Sequence, residues 1–172
     1  MKIEKEFVEE NLSNFDITPA VYLEKVEEVG EKYRELNCMN SKHLKTLAET
    51  TDDIDKEEIG EDFEVMRATE NAFMKEDVVE KVEELVEIEG VDTVGATWIL
   101  VALNPDKYAV VNREIQEVLV EKGVLQEVEE LTPKRYKEIL SELEKINDKI
   151  GYTVSDISYA LYLYRYEEGE NK

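Results

Sequence analysis

Residues 96–115 read ATWILVALNPDKYAVVNREI, and the fold turns on this stretch. From Ala96 to Leu103 apolar side chains leave almost no polar face, the pattern of a helix buried on all sides. Asn104 and Pro105 end that helix, because proline has no N–H to donate and its ring clashes with a preceding carbonyl. An extended connection follows, and Asn112 stands directly before a second, amphipathic helix. Asparagine is among the strongest N-caps, its side-chain oxygen accepting a backbone N–H of the first turn. Just upstream, Gly95 and Ala96 are small enough to let another helix come close.

Outward from this stretch, helical periodicity recurs and strand alternation does not. A short helix is predicted around EKEFVEENL (4–12). A longer one over 18–36 starts with Thr18 as N-cap and Pro19 at the first helical position, with Tyr22, Val26, Val29, Tyr33 and Leu36 in one apolar stripe. A shorter helix is expected around SKHLKTLAE (41–49). TTDDIDKEEIGED (50–62) is acidic and weakly patterned, a loop or a loosely held turn. KEDVVEKVEELVEI (75–88) is again amphipathic, with Val78, Val82, Leu85 and Val86 inward, and EGVDT (89–93) is a turn. Beyond the opening stretch, residues 112–123 bury Ile115, Val118 and Leu119 and end at Gly123, a natural helix terminator. Residues 132–151 begin Thr-Pro and stop at Gly151, burying Tyr136, Ile139, Leu140, Leu143 and Ile146. A tyrosine-rich helix over 155–168 closes the chain. The expected fold is all-α, one compact domain over residues 1–172, with N-terminal helices in 1–74 and a helix-hairpin-helix core over 75–168.

The charge balance constrains function. Asp and Glu number 43 against 21 Lys and Arg, for a formal net charge of -22, and the excess is spread along the chain. Such a surface repels nucleic acid and anionic membranes. With 42% hydrophobic residues the chain is no disordered acidic tail. Spread acidity on a foldable chain points to work in concentrated salt, where the Debye length shrinks to about 3 Å at 1 M; an ordinary Glu-rich protein is the alternative. A single cysteine, Cys38, precludes an internal disulfide and suits a reducing cytoplasm. The opening MKIEKEFVEE has no signal-peptide core, and the longest apolar run falls well short of the roughly 20 residues a membrane span needs. A cytoplasmic protein is expected, with no membrane association.

The helices joined by IEGVDTVGA (88–96) have the form of a helix-hairpin-helix, whose Gly-apolar-Gly turn lets backbone N–H groups approach a phosphate at a helix N-terminus. Together with the buried helix, NPDKYAVVN and the amphipathic helix after it, the order of elements resembles the helix-hairpin-helix DNA glycosylase superfamily. Within it, one branch is similar in its Gly-Val hairpin, its Ala-containing second helix, the Asn104–Tyr108 connection and a final helix like ISYALYLY (157–164). The resemblance spans residues 75–168. It implies a DNA-binding or base-excision function, with Gly90, Val91, Asp92 and Thr93 as the hairpin and position 112 as the seat of the catalytic aspartate. Three residues depart from the pattern. Asp92 stands where the second hairpin glycine belongs, and Val94 where bifunctional members carry a Schiff-base lysine. Asn112 replaces the aspartate, whose anionic charge stabilises the developing cation or activates the nucleophile. As a helix cap, Asn112 needs no chemistry at all.

If DNA is bound, its phosphate contacts are expected at Lys42, Lys45, Lys134, Arg135 and Lys137, with Arg113 beside the cleft; ordinary solubilising cations are the alternative. His43, the one histidine, has no matching ligand set, so no metal and no cofactor is expected. Acidic pairs such as Asp52-Asp53 and Glu83-Glu84 read as solvated faces. Tyr159, Tyr162 and Tyr166 step by three and four, which suits core or interface packing better than base stacking, and Trp98 belongs in the core. Three functions fit. The chain is a non-catalytic or cryptically active glycosylase-like protein with weak DNA affinity, an interaction module for a protein partner that kept the frame and lost DNA, or an active enzyme using Asp106 or Glu114 instead.

Overall fold

The structure, a computed structural model, describes residues 3–13 and 18–170. Among the described residues are nine helices and no strand: α1 (Lys5–Ser13), α2 (Thr18–Leu36), α3 (Ser41–Ala48), α4 (Asp62–Met74), α5 (Val78–Leu85), α6 (Thr93–Leu103), α7 (Arg113–Glu121), α8 (Pro133–Ile150) and α9 (Val154–Glu170). The chain is all-α. Helix α6 is buried from Gly95 to Leu103, as its apolar circumference requires. Helices α2, α3 and α5 pack on it, while α9 lies against α1, α7 and α8.

The α2–α6 contact is unusually close. A Cβ on Gly30 would stand 2.1 Å from the Ala102 carbonyl oxygen. Arg34, one turn on, donates to the carbonyls of Ala102 and Leu103 at 2.9 and 3.3 Å and so satisfies the C-terminal end of α6. The expected small-residue approach therefore occurs, but through Gly30. Gly95 instead meets a loop: its absent Cβ would lie 2.8 Å from the Asp53 carbonyl oxygen.

The connection after α6 is pinned from several helices. Tyr108, Ala109 and Val111 are buried, so their backbone groups need internal partners. Thr97 Oγ1 accepts from the Val111 N–H at 3.3 Å, the Tyr136 hydroxyl donates to the Ala109 carbonyl at 2.8 Å, and the Ser158 hydroxyl donates to that of Val110. Side chains of α6, α8 and α9 thus fix the path that delivers Asn112 to the start of α7.

Several expectations are corrected. Helix α4 was not foreseen. Its inward stripe is Val65, Ala68, Thr69 and Ala72, while its large apolar residues Phe63, Met66 and Met74 are exposed. Leu36 is also exposed, at the end of a stripe whose Val26, Val29 and Tyr33 are buried; Tyr22 falls outside the described side chains. Val78, Val86 and Ile146 are only half-buried. The acidic segment before α4 has no helix, but it is firmly held. Ile54 and Ile59 are buried, Ile54 bridges to Val91, and the Asp55 N–H donates to the Gly90 carbonyl at 2.9 Å.

Candidate functional site

A tight turn joins α5 and α6. Gly90 turns it with φ +82°, a conformation L side chains rarely adopt, and a Cβ there would meet the Asp55 carbonyl oxygen at 2.5 Å. Val91 is buried, and its N–H donates back to the Ile88 carbonyl at 3.1 Å. Asp92 caps α6, its Oδ1 accepting from the Gly95 N–H at 2.8 Å. Thr93 and Val94 follow, half-buried. The end of α6 that would receive a phosphate therefore holds the chain's own carboxylate, and the acidic segment lies over the glycine turn.

Asn112 is the N-cap of α7, with Oδ1 accepting from the Ile115 N–H at 2.9 Å. It also lines a cleft of about 1060 Å³ between α2, the 50–53 segment, α6, the 105–112 connection and α9. The floor includes Val26, Trp98, Val101, Val110 and Ile115. Trp98 is buried, and its indole N–H donates to Asp53 Oδ2 at 2.9 Å. Tyr159 and Tyr162 form one wall, their rings stacked at 6.2 Å, and the stack continues to Tyr166 at 6.5 Å. Tyr162 and Tyr166 are exposed and Tyr159 is half-buried, so these tyrosines form a surface ladder rather than part of the core.

Around these apolar and aromatic surfaces stand eight carboxylates: Glu24, Glu27, Glu28, Glu31, Asp52, Asp53, Asp106 and Asp156. No lysine or arginine lines the cleft among the described residues. Glu27 pairs with Arg34, and Asp156 caps its own helix with Thr153. Glu24, Glu28, Glu31, Asp52 and Asp106 make no ion pair among the described residues. Burial, then the charges of Glu114 and Asp53, push the Tyr162 hydroxyl pKa up. Of the two alternative catalytic carboxylates, Asp106 lines the cleft and Glu114 does not; both are exposed.

The expected phosphate contacts lie on separate helices. Lys42 and Lys45 sit on α3, which packs on α2, α4 and α6, whereas Lys134, Arg135 and Lys137 begin α8, which packs on α5 and α9. Arg135 is spent on Glu129, Glu138 and the Glu127 carbonyl. Lys137 pairs with Asp77 and Arg113 with Glu117. Lys42, Lys45 and Lys134 are exposed and make no ion pair among the described residues. His43 is half-buried, its Nδ1 without a hydrogen-bond partner among the described residues. No group of three or more His, Cys, Asp or Glu is placed to hold a metal ion among the described residues.

Two buried lysines escaped the sequence. Lys122 places its ammonium 3.7 Å from the Tyr164 ring centroid and 5.1 Å from that of Phe7, and pairs with Glu121 at 3.2 Å. Burial alone would lower its pKa; the Tyr164 hydroxyl and Glu121 outweigh that and raise it. Lys81 donates to the Ala72 and Phe73 carbonyls at 2.7 and 3.4 Å, closing the end of α4, and burial lowers its pKa. Both act in packing. A signal existed for Lys81, which falls on the inward spacing of Val78, Val82 and Leu85.

Compared with models of known protein families, with curated proteins and with solved structures, the chain matches none. No helix among the described residues is long and apolar enough to cross a membrane.

Proposed function

We propose that this chain is a non-catalytic protein on a helix-hairpin-helix, DNA-glycosylase-like frame, working as an interaction module rather than by excising bases. One observation carries the proposal: the cleft that Asn112 lines has eight carboxylates and no basic residue among the described residues. A phosphodiester entering it meets repulsion from every side, and Asn112 offers neither the anion nor the base that excision needs. The carboxylate of Asp92 at the α6 N-terminus supports the same reading, since it already satisfies the dipole a phosphate would use.

The test pairs excision assays on lesion-bearing duplexes with fluorescence anisotropy of a labelled duplex across a range of KCl. No excision is expected, from the unmodified chain or from Asn112→Asp. Non-specific duplex affinity should be weaker than the roughly 10⁻⁴ to 10⁻⁶ M typical at physiological salt, with a shallow salt slope. Tight binding with a steep negative slope, or excision, overturns the proposal. Weak DNA contact through Lys42, Lys45 and Lys134 is the second reading, favoured by their exposure and their lack of ion pairs among the described residues. It predicts that replacing all three with alanine abolishes whatever duplex affinity is measured. The acidity further suits a salt-rich cytoplasm, and the melting temperature should then rise from low to molar KCl as self-repulsion is screened.

A further inference from the structure

We infer that the cleft is the docking groove for an extended, cationic segment of a partner protein, which lays lysine or arginine side chains against Tyr159 and Tyr162. The inference rests on the interaction-module reading and adds the partner's chemistry.

Charge complementarity is the first argument. The chain has 21 lysines and arginines, yet none lines this concavity among the described residues, while eight carboxylates do. Five of those carboxylates, Glu24, Glu28, Glu31, Asp52 and Asp106, make no ion pair among the described residues. Like charges gathered around one hollow repel each other, and an incoming cation relieves that repulsion.

The surfaces between the carboxylates set the kind of cation. Small inorganic ions are strongly hydrated and need convergent ligands, and no such group is placed among the described residues. Aromatic faces beside carboxylates favour weakly hydrated organic cations, guanidinium above all, whose stems also cover apolar surface. Val26, Val101, Val110 and Ile115 provide that apolar surface.

The length of the site separates a protein segment from a free amine. Its walls run from Glu24–Glu31 on α2 to Tyr162 on α9. The stacked ladder continues past the mouth to Tyr166, which is 55% exposed. An occupant that uses the whole surface extends along α9, and a mixture of cationic and apolar side chains matches its carboxylates and its aromatic and aliphatic groups.

Trp98 is the only tryptophan and lines the cleft, so its emission reports occupancy. The probe is a short labelled peptide alternating arginine and leucine. Controls are the same peptide with glutamate for arginine, free spermine, and a labelled DNA duplex. Two charge-matched variants separate a site from general attraction to an acidic chain: Glu28→Gln with Glu31→Gln in the cleft, and Glu83→Gln with Glu87→Gln outside it. The cleft pair should weaken the arginine-leucine peptide about tenfold, and the outer pair less than about twofold. Tyr162→Ala, at unchanged charge, should cost about threefold. Binding should also shift Trp98 emission. Equal losses from the two pairs, binding that leaves Trp98 emission unchanged, or spermine binding as tightly as the peptide each overturns the inference. If neither duplex nor peptide binds, the inference falls while the reading of a chain without DNA affinity stands; tight duplex binding removes that reading whatever the peptide does.

Discussion

Asp92 before α6 and Asn112 before α7 hold the same post. Each Oδ1 accepts the N–H three residues further on, at 2.8 and 2.9 Å. Their surroundings differ. The turn before Asp92 is braced by the acidic segment, with the Asp55 N–H bound to the Gly90 carbonyl and Ile54 bridged to Val91. The Asn112 end opens on the cleft. A cap asks only for an acceptor oxygen, which carboxylate and amide both supply. Phosphate binding at the first end asks for no carboxylate, and base chemistry at the second asks for one. Local helix energetics therefore accounts for both residues.

The largest expected effect tests whether the turn before Asp92 is held by the acidic segment. Gly90→Ala combines a strained φ with a Cβ driven towards the Asp55 carbonyl oxygen, and should cost about 2–4 kcal/mol in urea unfolding. Gly123→Ala is the control. It shares a positive φ of 72° but meets nothing within 4 Å, so only the backbone penalty of about 1 kcal/mol applies. Equal losses at the two glycines would mean that the segment does not lock the hairpin.

The caps come next. Asp92→Ala and Asn112→Ala should each lose about 1 kcal/mol by the same measurement, because each strands a first-turn N–H. A much larger loss at one would show that its side chain does more than cap.

Much of this architecture was legible in the sequence. The all-round apolarity of residues 96–103, the Asn104-Pro105 stop, the Thr132-Pro133 start and the Gly151 stop all correspond to structure because each reflects a local rule. Helix α4 did not, because its buried stripe is small and partly polar while its phenylalanine and methionines face out. Hydrophobicity there points the wrong way. The cleft was half legible: Asn112, Trp98, Asp106 and the Asp52-Asp53 pair were singled out, but the carboxylates converge from α2, the 50–53 segment, the 105–112 connection and α9. Separate acidic stretches look alike in a chain with 43 acidic residues. Lys122 depends on rings of α1 and α9 far away in the chain, and no local pattern announces such a contact.

At the other end of α7 from Asn112, a smaller effect is expected with pH. Glu121 accepts from the Tyr164 hydroxyl at 2.6 Å, and this bond, with Lys122, lowers its pKa below the usual 4.5. A carboxylate with a depressed folded-state pKa stabilises the fold fully above its unfolded value and loses that contribution as pH falls through the folded one. Thermal melts should therefore show an acid limb beginning below about pH 4.5, and Glu121→Gln should flatten it. The side chain is 42% exposed, so solvent screening keeps the contribution under about 1 kcal/mol.

The smallest effect is the most discriminating. Asn112→Asp keeps the cap and places a negative charge where the α7 dipole favours it, a gain of about 0.3–1 kcal/mol at low ionic strength. The same charge joins a cleft already lined by eight carboxylates, with Glu114 two residues away, and their repulsion opposes the gain. At low salt the two nearly cancel, leaving a change within about 0.5 kcal/mol. Salt decides between them. The dipole acts within a single turn, whereas the repulsion sums over carboxylates spread around the cleft, so molar KCl removes more of the second. Asn112→Asp should thus become relatively more stable as KCl rises, judged by urea unfolding beside the unmodified chain. Asp92→Asn, which deletes a charge, should become relatively less so. Parallel salt responses in the two variants would mean that the cleft's carboxylates do not act on position 112, and the electrostatic contrast between the two helix starts would fail.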